Sequence, residues 1–308
     1  MKIKAIKYSD IFRKSLAMAL RNKPMWFFGL LIFLSSIFSN VMNVFSTTGN
    51  KEQVQSLIIV VKENPSFFLK AVIVFVLLWL VFFLLRFIAI AGIIKSANNI
   101  NIYKQSKIRA IFYEGTIYLW PMFLIEIIIS FALAVIFLAL YFPVLYLLIL
   151  GEKFFAASLF LTASFIITVI VVVAYYLKKY AYLYVVIGNM KIKMAIEEAY
   201  RLLAKNIWES LIMGCFIGIL QVLFSAVLLS LLFLDLMIYS QIFEMKNIFV
   251  GLIMVIEILI FIALFSIYAS FYQIVWVLFF QEISLDKKEN IAVRELETET
   301  KEATIETI

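Results

Sequence analysis

The sequence predicts an all-α membrane protein with six transmembrane helices, arranged as three helical hairpins with interfacial amphipathic lead-in helices. Composition is the first observation behind this prediction. Of the 308 residues, 65% are hydrophobic and 15% are charged, whereas soluble proteins have about 45–50% and about 25%. The second observation is that the apolar residues form long, nearly uninterrupted runs. Because so few charged side chains cannot cover so much apolar surface, a lipid bilayer must be the solvent of the chain.

Six apolar stretches are long enough to cross the hydrocarbon core, which is about 30 Å thick and takes about 20 helical residues. They cover residues 26–45, 67–94, 119–142, 154–177, 207–234 and 248–280. The second, fifth and sixth exceed the required length, so we expect them to tilt, kink or protrude. Pro143 is expected to end the third span, and residues 143–153 are either a turn or a re-entrant segment. No cleavage motif follows the first stretch, so we expect it to remain a transmembrane helix.

The distribution of lysine and arginine predicts the orientation in the membrane. The leader and the segments after the second and fourth spans carry 17 of these residues, and the opposite side carries 5. Basic residues concentrate on the cytoplasmic side of membrane proteins. We therefore expect a multi-pass protein of the cell (plasma) membrane with both termini in the cytoplasm.

The composition changes after residue 281 and predicts a boundary there. Residues 1–281 form the integral membrane domain, and residues 282–308 are an acidic cytoplasmic tail with eight Asp and Glu residues. Too few apolar residues are present in the tail to form a core, so it is either disordered or a fraying helix. It serves either to dock a protein partner or only to solubilise the terminus.

Three tryptophans occupy equivalent positions and indicate an internal repeat. Trp26, Trp120 and Trp208 each open a span that starts on the basic side, after a partly polar lead-in. Tryptophan favours the boundary between headgroups and hydrocarbon. The pattern fits either three units, each a lead-in helix followed by two spans, or a general preference for tryptophan at such entry points. In both cases we interpret the three residues as interface anchors.

Two of the lead-ins have the spacing of amphipathic helices. Tyr8–Arg21 places apolar residues on one side and basic residues on the other, and Ala195–Lys205 repeats this pattern. In the second helix, Glu197 and Arg201 are one turn apart and form the expected attractive pair. Basic amphipathic helices lie in the membrane interface and attract anionic headgroups. Membrane lipids are therefore the expected partners, and no nucleic acid is needed to explain the net charge of +7.

Three segments carry a resemblance to known proteins. They read LAMALRNKPMWFFGLLIFL, IAIAGIIKSANNINIYKQSKIRAIFYEG and YAYLYVVIGNMKIKMAIEEAYRLLAKNIWESL. Over residues 8–281 the arrangement resembles a group of six-span prokaryotic membrane proteins of unknown function. That group includes the membrane domain of some glycerophosphoryl diester phosphodiesterases. The resemblance implies an accessory, lipid-facing role, but it carries no catalytic signature, and the phosphodiesterase domain with its histidines is missing from this sequence.

Two opposite charges lie at similar depth in neighbouring spans. Arg86 is eight residues from the basic end of the second span, or about 12 Å, and Glu126 is seven residues into the third, or about 10 Å. Ionisable groups at membrane depth are costly and are usually paired. We therefore predict an intramembrane Arg86–Glu126 ion pair, which either clamps two helices or belongs to a functional site. A third interpretation is that Arg86 only extends towards the headgroups.

Glu257 is the third ionisable candidate, nine residues into the last span and without a basic residue near it in sequence. It is protonated in the membrane, faces a wet cavity or lies near the interface. The remaining candidates are helix–helix contacts: Gln221 and Gln273 as hydrogen-bonding groups, and Gly214 with Gly218 as a GxxxG packing face. We interpret the tyrosines near the end of the fourth span as an aromatic belt; they are Tyr175, Tyr176, Tyr180, Tyr182 and Tyr184.

Composition also limits the function. The sequence contains no histidine and one cysteine, Cys215, which excludes histidine-dependent catalysis, histidine-bound metals and an intrachain disulfide. We expect no enzyme activity, no metal and no cofactor. The leading hypothesis is a scaffold or accessory factor in envelope or lipid homeostasis. The alternative is a small permease for lipids or other hydrophobic molecules that uses Glu257 and the Arg86–Glu126 pair. The sequence does not indicate an oligomeric state.

Overall fold

The architecture is that of a computed structural model, which describes residues 6–47, 65–100, 108–242 and 248–305. Side-chain environments are described for residues 6–38, 65–99, 108–231, 253 and 255–284. Several of the loops that entered the charge comparison, such as residues 48–64 and 101–107, lie outside the described residues. Within the described ranges, every regular element is a helix, which confirms the all-α prediction.

The helices are, in chain order, α1 (Tyr8–Arg21), α2 (Lys23–Thr47), α3 (Pro65–Ile100), α4 (Ile108–Ile117), α5 (Leu119–Ile149), α6 (Lys153–Val186), α7 (Ile192–Lys205), α8 (Ile207–Ile242) and α9 (Ile248–Ile305). Five of them, α3, α5, α6, α8 and α9, are long and apolar enough to cross a membrane. A multi-pass membrane protein is thereby confirmed in outline. In α2, the part whose side chains are described is Lys23–Phe38, which is apolar but shorter than these five spans. The count of six spans is therefore not established.

The long helices extend beyond the apolar stretches that predicted them. Helix α6 ends at Val186 instead of residue 177, and α3 continues to Ile100 instead of residue 94. Helix α9 passes through the expected boundary at residue 281 and continues to Ile305. Hydropathy marks only the part of a helix that suits lipid, whereas the backbone hydrogen bonds continue where polar residues follow.

The expected end of the third span at Pro143 is wrong. Helix α5 continues through Pro143 to Ile149, and the turn occupies only Leu150–Glu152. Apolar residues continue on both sides of the proline, and transmembrane helices tolerate the hydrogen bond that proline removes. Gly151 adopts a φ of +83° in this turn, a conformation that favours glycine. Residues 143–153 are therefore the end of a helix and a tight turn, not a re-entrant segment.

Each predicted lead-in is a separate helix that ends one residue before a long apolar helix. Asn22 separates α1 from α2, Tyr118 separates α4 from α5, and Asn206 separates α7 from α8. Two of the breaks use the same contact: the side-chain amide of Asn22 donates to the carbonyl of Met18 (2.8 Å), and that of Asn206 donates to the carbonyl of Leu202 (3.1 Å). The backbone N–H of each asparagine donates to the same carbonyl, at 3.2 Å for Asn22 and 3.0 Å for Asn206, so the side chain adds a second hydrogen bond at the end of the lead-in helix. The motif Arg/Lys-Asn before the tryptophan was visible in the sequence.

The residues divide into two compact units, each described by itself. The first unit contains Met1–Arg13, Trp120–Phe216 and Val275–Ile308, and the second contains Lys14–Leu119 and Ile217–Ile274. In the second unit, α2 and α9 approach closely: a methyl group on Gly29 would overlap the carbonyl oxygen of Ser266. Ser270 of α9 also connects the two helices at this crossing, because its hydroxyl donates to the carbonyl of Met25 in α2 (2.7 Å).

Helices α3 and α4, also in the second unit, pack through glycine. A methyl group on Gly115 of α4 would overlap the carbonyl oxygen of Ile88, and one on Gly92 of α3 would crowd the side chain of Ile111. The lead-in helix α4 therefore lies directly against the backbone of α3. Such close approach is the usual role of small residues between membrane helices.

The first unit is built around the second half of α6 and one stretch of α9. In α6, Ala174, Tyr176 and all residues from Tyr180 to Val186 are buried, whereas most residues before Ala174 are exposed. In α9, Val275 to Phe280 are buried. Trp276, only 1% exposed, lies among the rings of Tyr175, Tyr176 and Tyr180 at centroid distances of 5.8–6.2 Å. These contacts hold α6 and α9 together by aromatic packing.

Candidate functional site

The strongest polar cluster of the first unit joins α5 to α6 and consists of Glu126, Lys178 and Tyr182, hereafter the Glu126 cluster. The Nζ atom of Lys178 lies 2.9 Å from Oε1 of Glu126. The hydroxyl of Tyr182 donates to Oε2 of the same carboxylate. Each carboxylate oxygen therefore has its own donor, one of them charged, which is the arrangement that stabilises a carboxylate away from bulk water.

Helix periodicity places the two donors on one face. Lys178 and Tyr182 are four residues apart in α6 and so lie on the same side, one turn from each other. Glu126 stands on α5 at the corresponding level. The side chains of Lys178 and Glu126 are 26% and 23% exposed, so the cluster is neither fully buried nor open to its surroundings. The lysine ammonium group has three N–H donors and the tyrosine hydroxyl has one, and two of these four donors are used in the contacts to Glu126.

Lys179 adds a second positive charge next to the cluster. Its Nζ atom lies 6.0 Å from the centre of the Tyr175 ring, within the range of a cation–π contact. The pair of lysines and the single carboxylate leave this part of α6 with an excess of one positive charge.

Glu126 had been predicted to pair with Arg86. Arg86 lies half-buried in α3 of the second unit, and the Arg86–Glu126 pair stays a prediction. The sequence missed Lys178 and Tyr182 as partners of Glu126, because they are separated from it by 52 and 56 residues. The signal that was available is the lysine pair within an otherwise uncharged part of α6.

The interpretation of the α6 tyrosines as an aromatic belt is wrong for most of them. Tyr176, Tyr180, Tyr182 and Tyr184 are buried in protein instead of facing the membrane interface. Tyr180 forms a hydrogen bond of 2.6 Å with the hydroxyl of Ser210 and so connects α6 to α8. These tyrosines pack inside the first unit, where the hydroxyl groups of Tyr180 and Tyr182 form hydrogen bonds with other helices.

Half of the predicted GxxxG face is confirmed by contact. A methyl group on Gly214 would overlap the hydroxyl of Tyr176, so α8 approaches α6 closely at this point. Around Gly218, no atom of the residues that the structure describes lies within 4 Å of such a methyl group. Gly214 is thus a packing glycine, and the prediction is wrong for Gly218.

The other predicted residues lie at separate positions. Glu257 is half-buried in α9, Gln273 is buried in the same helix, and Gln221 is exposed on α8. Cys215 is exposed on α8. Of the three anchor tryptophans, Trp120 and Trp208 are 65% and 73% exposed. Trp26 is half-buried and its indole N–H donates to the carbonyl of Ala19 (2.7 Å), which fixes the corner between α1 and α2.

Helix α7 separates apolar from charged residues, as its sequence predicts. Ala195, Ala199, Leu202 and Leu203 are buried, and its charged residues other than the half-buried Glu198 face outwards. Its ion pairs differ from the expected one: Arg201 contacts Glu198 at 3.0 Å, and Glu197 lies 4.0 Å from Lys193. A spacing of three residues competes with a spacing of four on a helix surface, so the sequence alone could not select the partner.

Tyr8 attaches α1 to the first unit. Its ring centre lies 5.6 Å from that of Phe216 in α8 and 6.4 Å from that of Phe279 in α9. Burial, and to a smaller extent the Glu209 carboxylate, raises the pKa of the Tyr8 hydroxyl above its usual value. Tyr8 therefore stays protonated at neutral pH and acts as a packing residue.

The chain matches none of the family models, curated proteins or solved structures with which it was compared. The chemistry of the Glu126 cluster therefore has to be inferred from its own geometry. The cluster holds one carboxylate, one ammonium group and one phenol, and Lys179 next to it adds a second ammonium group; this combination is suited to binding and positioning.

Proposed function

We propose that this protein is a non-enzymatic scaffold or accessory factor of the plasma membrane, acting in envelope or lipid homeostasis. In this proposal α2 crosses the membrane in addition to the five longer helices, and the resulting six spans form three hairpins. Each hairpin follows one of the lead-in helices α1, α4 and α7. Both termini and all lead-in helices lie on the cytoplasmic side, as the distribution of basic residues favours.

The observation that carries the proposal is the repeated junction between a short helix and a long apolar one. Three times the chain forms a lead-in helix, breaks it at a single residue and continues as a long apolar helix. Helix α7 buries its apolar face and directs its charged face outwards. A helix of this kind at the membrane surface attracts anionic lipid on its polar side.

The Glu126 cluster also supports a structural role. The charge of Glu126 is used in contacts to Lys178 and Tyr182 of the same chain. A paired carboxylate fixes the position of two helices and does not have to change its protonation state. The lack of histidine among the 308 residues supports the proposal that the protein is not an enzyme.

A second candidate function, a small permease, is favoured by Glu257. This carboxyl group is half-buried in an apolar part of α9. A protonatable acid in such a position can couple proton movement to transport. The two candidates differ in whether anything crosses the membrane and in whether Glu257 matters for it.

A reconstitution experiment distinguishes the two candidates. The full chain is placed in vesicles of phosphatidylcholine and phosphatidylglycerol, and the movement of a fluorescent lipid between the leaflets is followed with an impermeant quencher. The scaffold proposal expects the same rate as in protein-free vesicles, for the wild type and for Glu257→Gln alike. A wild-type rate clearly above that of protein-free vesicles, lost in Glu257→Gln, would replace the scaffold by the permease.

A further inference from the structure

Helices α5 and α6 carry charges at two levels that are one membrane thickness apart. Glu152 and Lys153 are exposed at the turn between the helices. Next to this turn, residues 127–150 on the α5 side and 154–177 in α6 contain no charged side chain, 24 residues in each. The next charged residues in the two helices are Glu126 in α5 and Lys178 in α6, which contact each other.

Helix geometry converts this spacing into a distance. Glu126 precedes Leu150 by 24 residues, or about 36 Å of helix at 1.5 Å per residue. The hydrocarbon core is about 30 Å thick, and about 40–45 Å with the headgroups. When the turn lies at one surface, the Glu126 cluster therefore lies among the headgroups of the opposite surface instead of deep in the hydrocarbon.

The burial pattern changes at the same level. On the turn side of the cluster, large apolar residues are exposed, for example Phe131 and Phe142 in α5 and Leu161 and Phe165 in α6. On the other side, α6 is buried in protein from Tyr180 to Val186. Exposed apolar side chains belong in the lipid, and the packed segment does not need lipid around it. The first unit thus changes from lipid-exposed to protein-packed near Lys178.

The chemistry of the cluster fits a lipid phosphate. Lys178 uses one of its three donors for Glu126, keeps 26% of its side chain exposed and has Lys179 as its neighbour. Tyr175 lies beneath the ammonium group of Lys179 at 6.0 Å. Glu126 offers a negative charge that repels a phosphate unless the latter approaches from the lysine side. Two ammonium groups at headgroup level are suited to a phosphate monoanion.

We propose that Lys178 and Lys179 bind the phosphate of an anionic phospholipid at headgroup level, with Glu126 and Tyr182 positioning Lys178. The proposal rests on the membrane-scaffold function, for which it names a lipid site. The phosphodiester of a phospholipid and free inorganic phosphate are both anions that ammonium groups attract, so the experiment has to separate these two sources.

The test titrates phosphatidylglycerol into the delipidated full chain in detergent and counts bound lipid by native mass spectrometry. Lys178→Gln/Lys179→Gln is compared with Lys70→Gln/Lys153→Gln, which removes the same charge from exposed positions near the starts of α3 and α6. We expect the first variant to lose affinity about tenfold or more and the control to stay within about twofold. Equal losses in both variants, or no loss in either, would overturn the site.

The single variant Lys179→Gln controls for a folding defect, because it leaves the contact between Lys178 and Glu126 intact. We expect a loss of about fivefold, restored by Lys179→Arg. Excess inorganic phosphate should not displace the bound lipid, and displacement would contradict a lipid site. Lipid transport that depends on Glu257 would contradict the scaffold function and leave this binding measurement unaffected, so the two failures are distinguishable.

Discussion

Lys178 contacts Glu126 over 2.9 Å and connects two long apolar helices at a level where both have otherwise been uncharged for 24 residues. Tyr182, one turn further along α6, donates to the second carboxylate oxygen. The contact fixes which faces of α5 and α6 meet, because only one rotation of each helix places these side chains together. The same two helices are also joined nearer the turn by an uncharged hydrogen bond between the hydroxyl groups of Tyr141 and Ser164, which are 2.9 Å apart.

Removing one charge of this pair should destabilise the protein more than removing both. Glu126→Gln or Lys178→Gln leaves an unpaired, partly buried charge, which costs about 1–2 kcal/mol, whereas the double substitution leaves none. The measurement is the midpoint of thermal unfolding in detergent for both single variants and the double variant. We expect the wild type to have the highest unfolding midpoint, the double variant an intermediate one and the single variants the lowest.

A matched control is the pair of Lys193 and Glu197 on α7. It is of the same residue types, but its side chains are 90% and 53% exposed and its atoms 4.0 Å apart. Its neutralisation should leave the midpoint unchanged, because exposed pairs contribute little. If Lys178→Gln had no more effect than Lys193→Gln, the Glu126 cluster would not stabilise the fold.

Gly29 should not tolerate alanine, whereas Gly218 should. An added methyl group at Gly29 meets the backbone of Ser266, so α2 and α9 must separate, at a cost of about 1–3 kcal/mol. The same change at Gly218 meets no atom within 4 Å and, because alanine favours a helix, leaves stability equal or slightly higher. Thermal midpoints of Gly29→Ala and Gly218→Ala in the same detergent compare the two; equal midpoints would contradict the close crossing.

The asparagines at the helix junctions should act through their side-chain N–H groups. Asn206→Asp retains the shape but loses the donor to the carbonyl of Leu202, and we expect it to cost about 1 kcal/mol. Asn22→Asp should behave in the same way at the carbonyl of Met18. Unfolding midpoints of both variants and of the corresponding alanine variants check this. A midpoint lowered by alanine but not by aspartate would show that the donor is not what matters.

The sequence was sufficient to predict the helices but not the contacts between them. The start and end of α1 at Tyr8 and Arg21 follow from its amphipathic spacing, and long apolar runs predict α5, α6 and α8. The runs could not predict the helix ends, because hydropathy reports contact with lipid and α6 continues to Val186 inside protein. For the same reason, the buried tyrosines of α6 were mistaken for an aromatic belt.

The partners of an ionisable group were harder to predict than the helix positions. The sequence indicates that Glu126 needs a partner, and its depth suggests Arg86 in the preceding span, a pair that stays a prediction. Depth alone does not distinguish between neighbours on different sides of a helix. Its contact with Lys178 depends on the rotation of α5 and α6 about their axes, which is determined by packing and not by local sequence.

Both the proposed scaffold and the lipid site require the turn between α5 and α6 and the lead-in helix α7 to lie on opposite sides of the membrane. The single native cysteine, Cys215, is first replaced by serine, and one new cysteine is introduced by Glu152→Cys or by Lys193→Cys. An impermeant maleimide is then added to intact cells and to inside-out vesicles. We predict labelling of the Glu152→Cys variant only in intact cells and of the Lys193→Cys variant only in inside-out vesicles. Labelling of both variants from the same side would contradict the topology, the headgroup-level site and the proposed scaffold together.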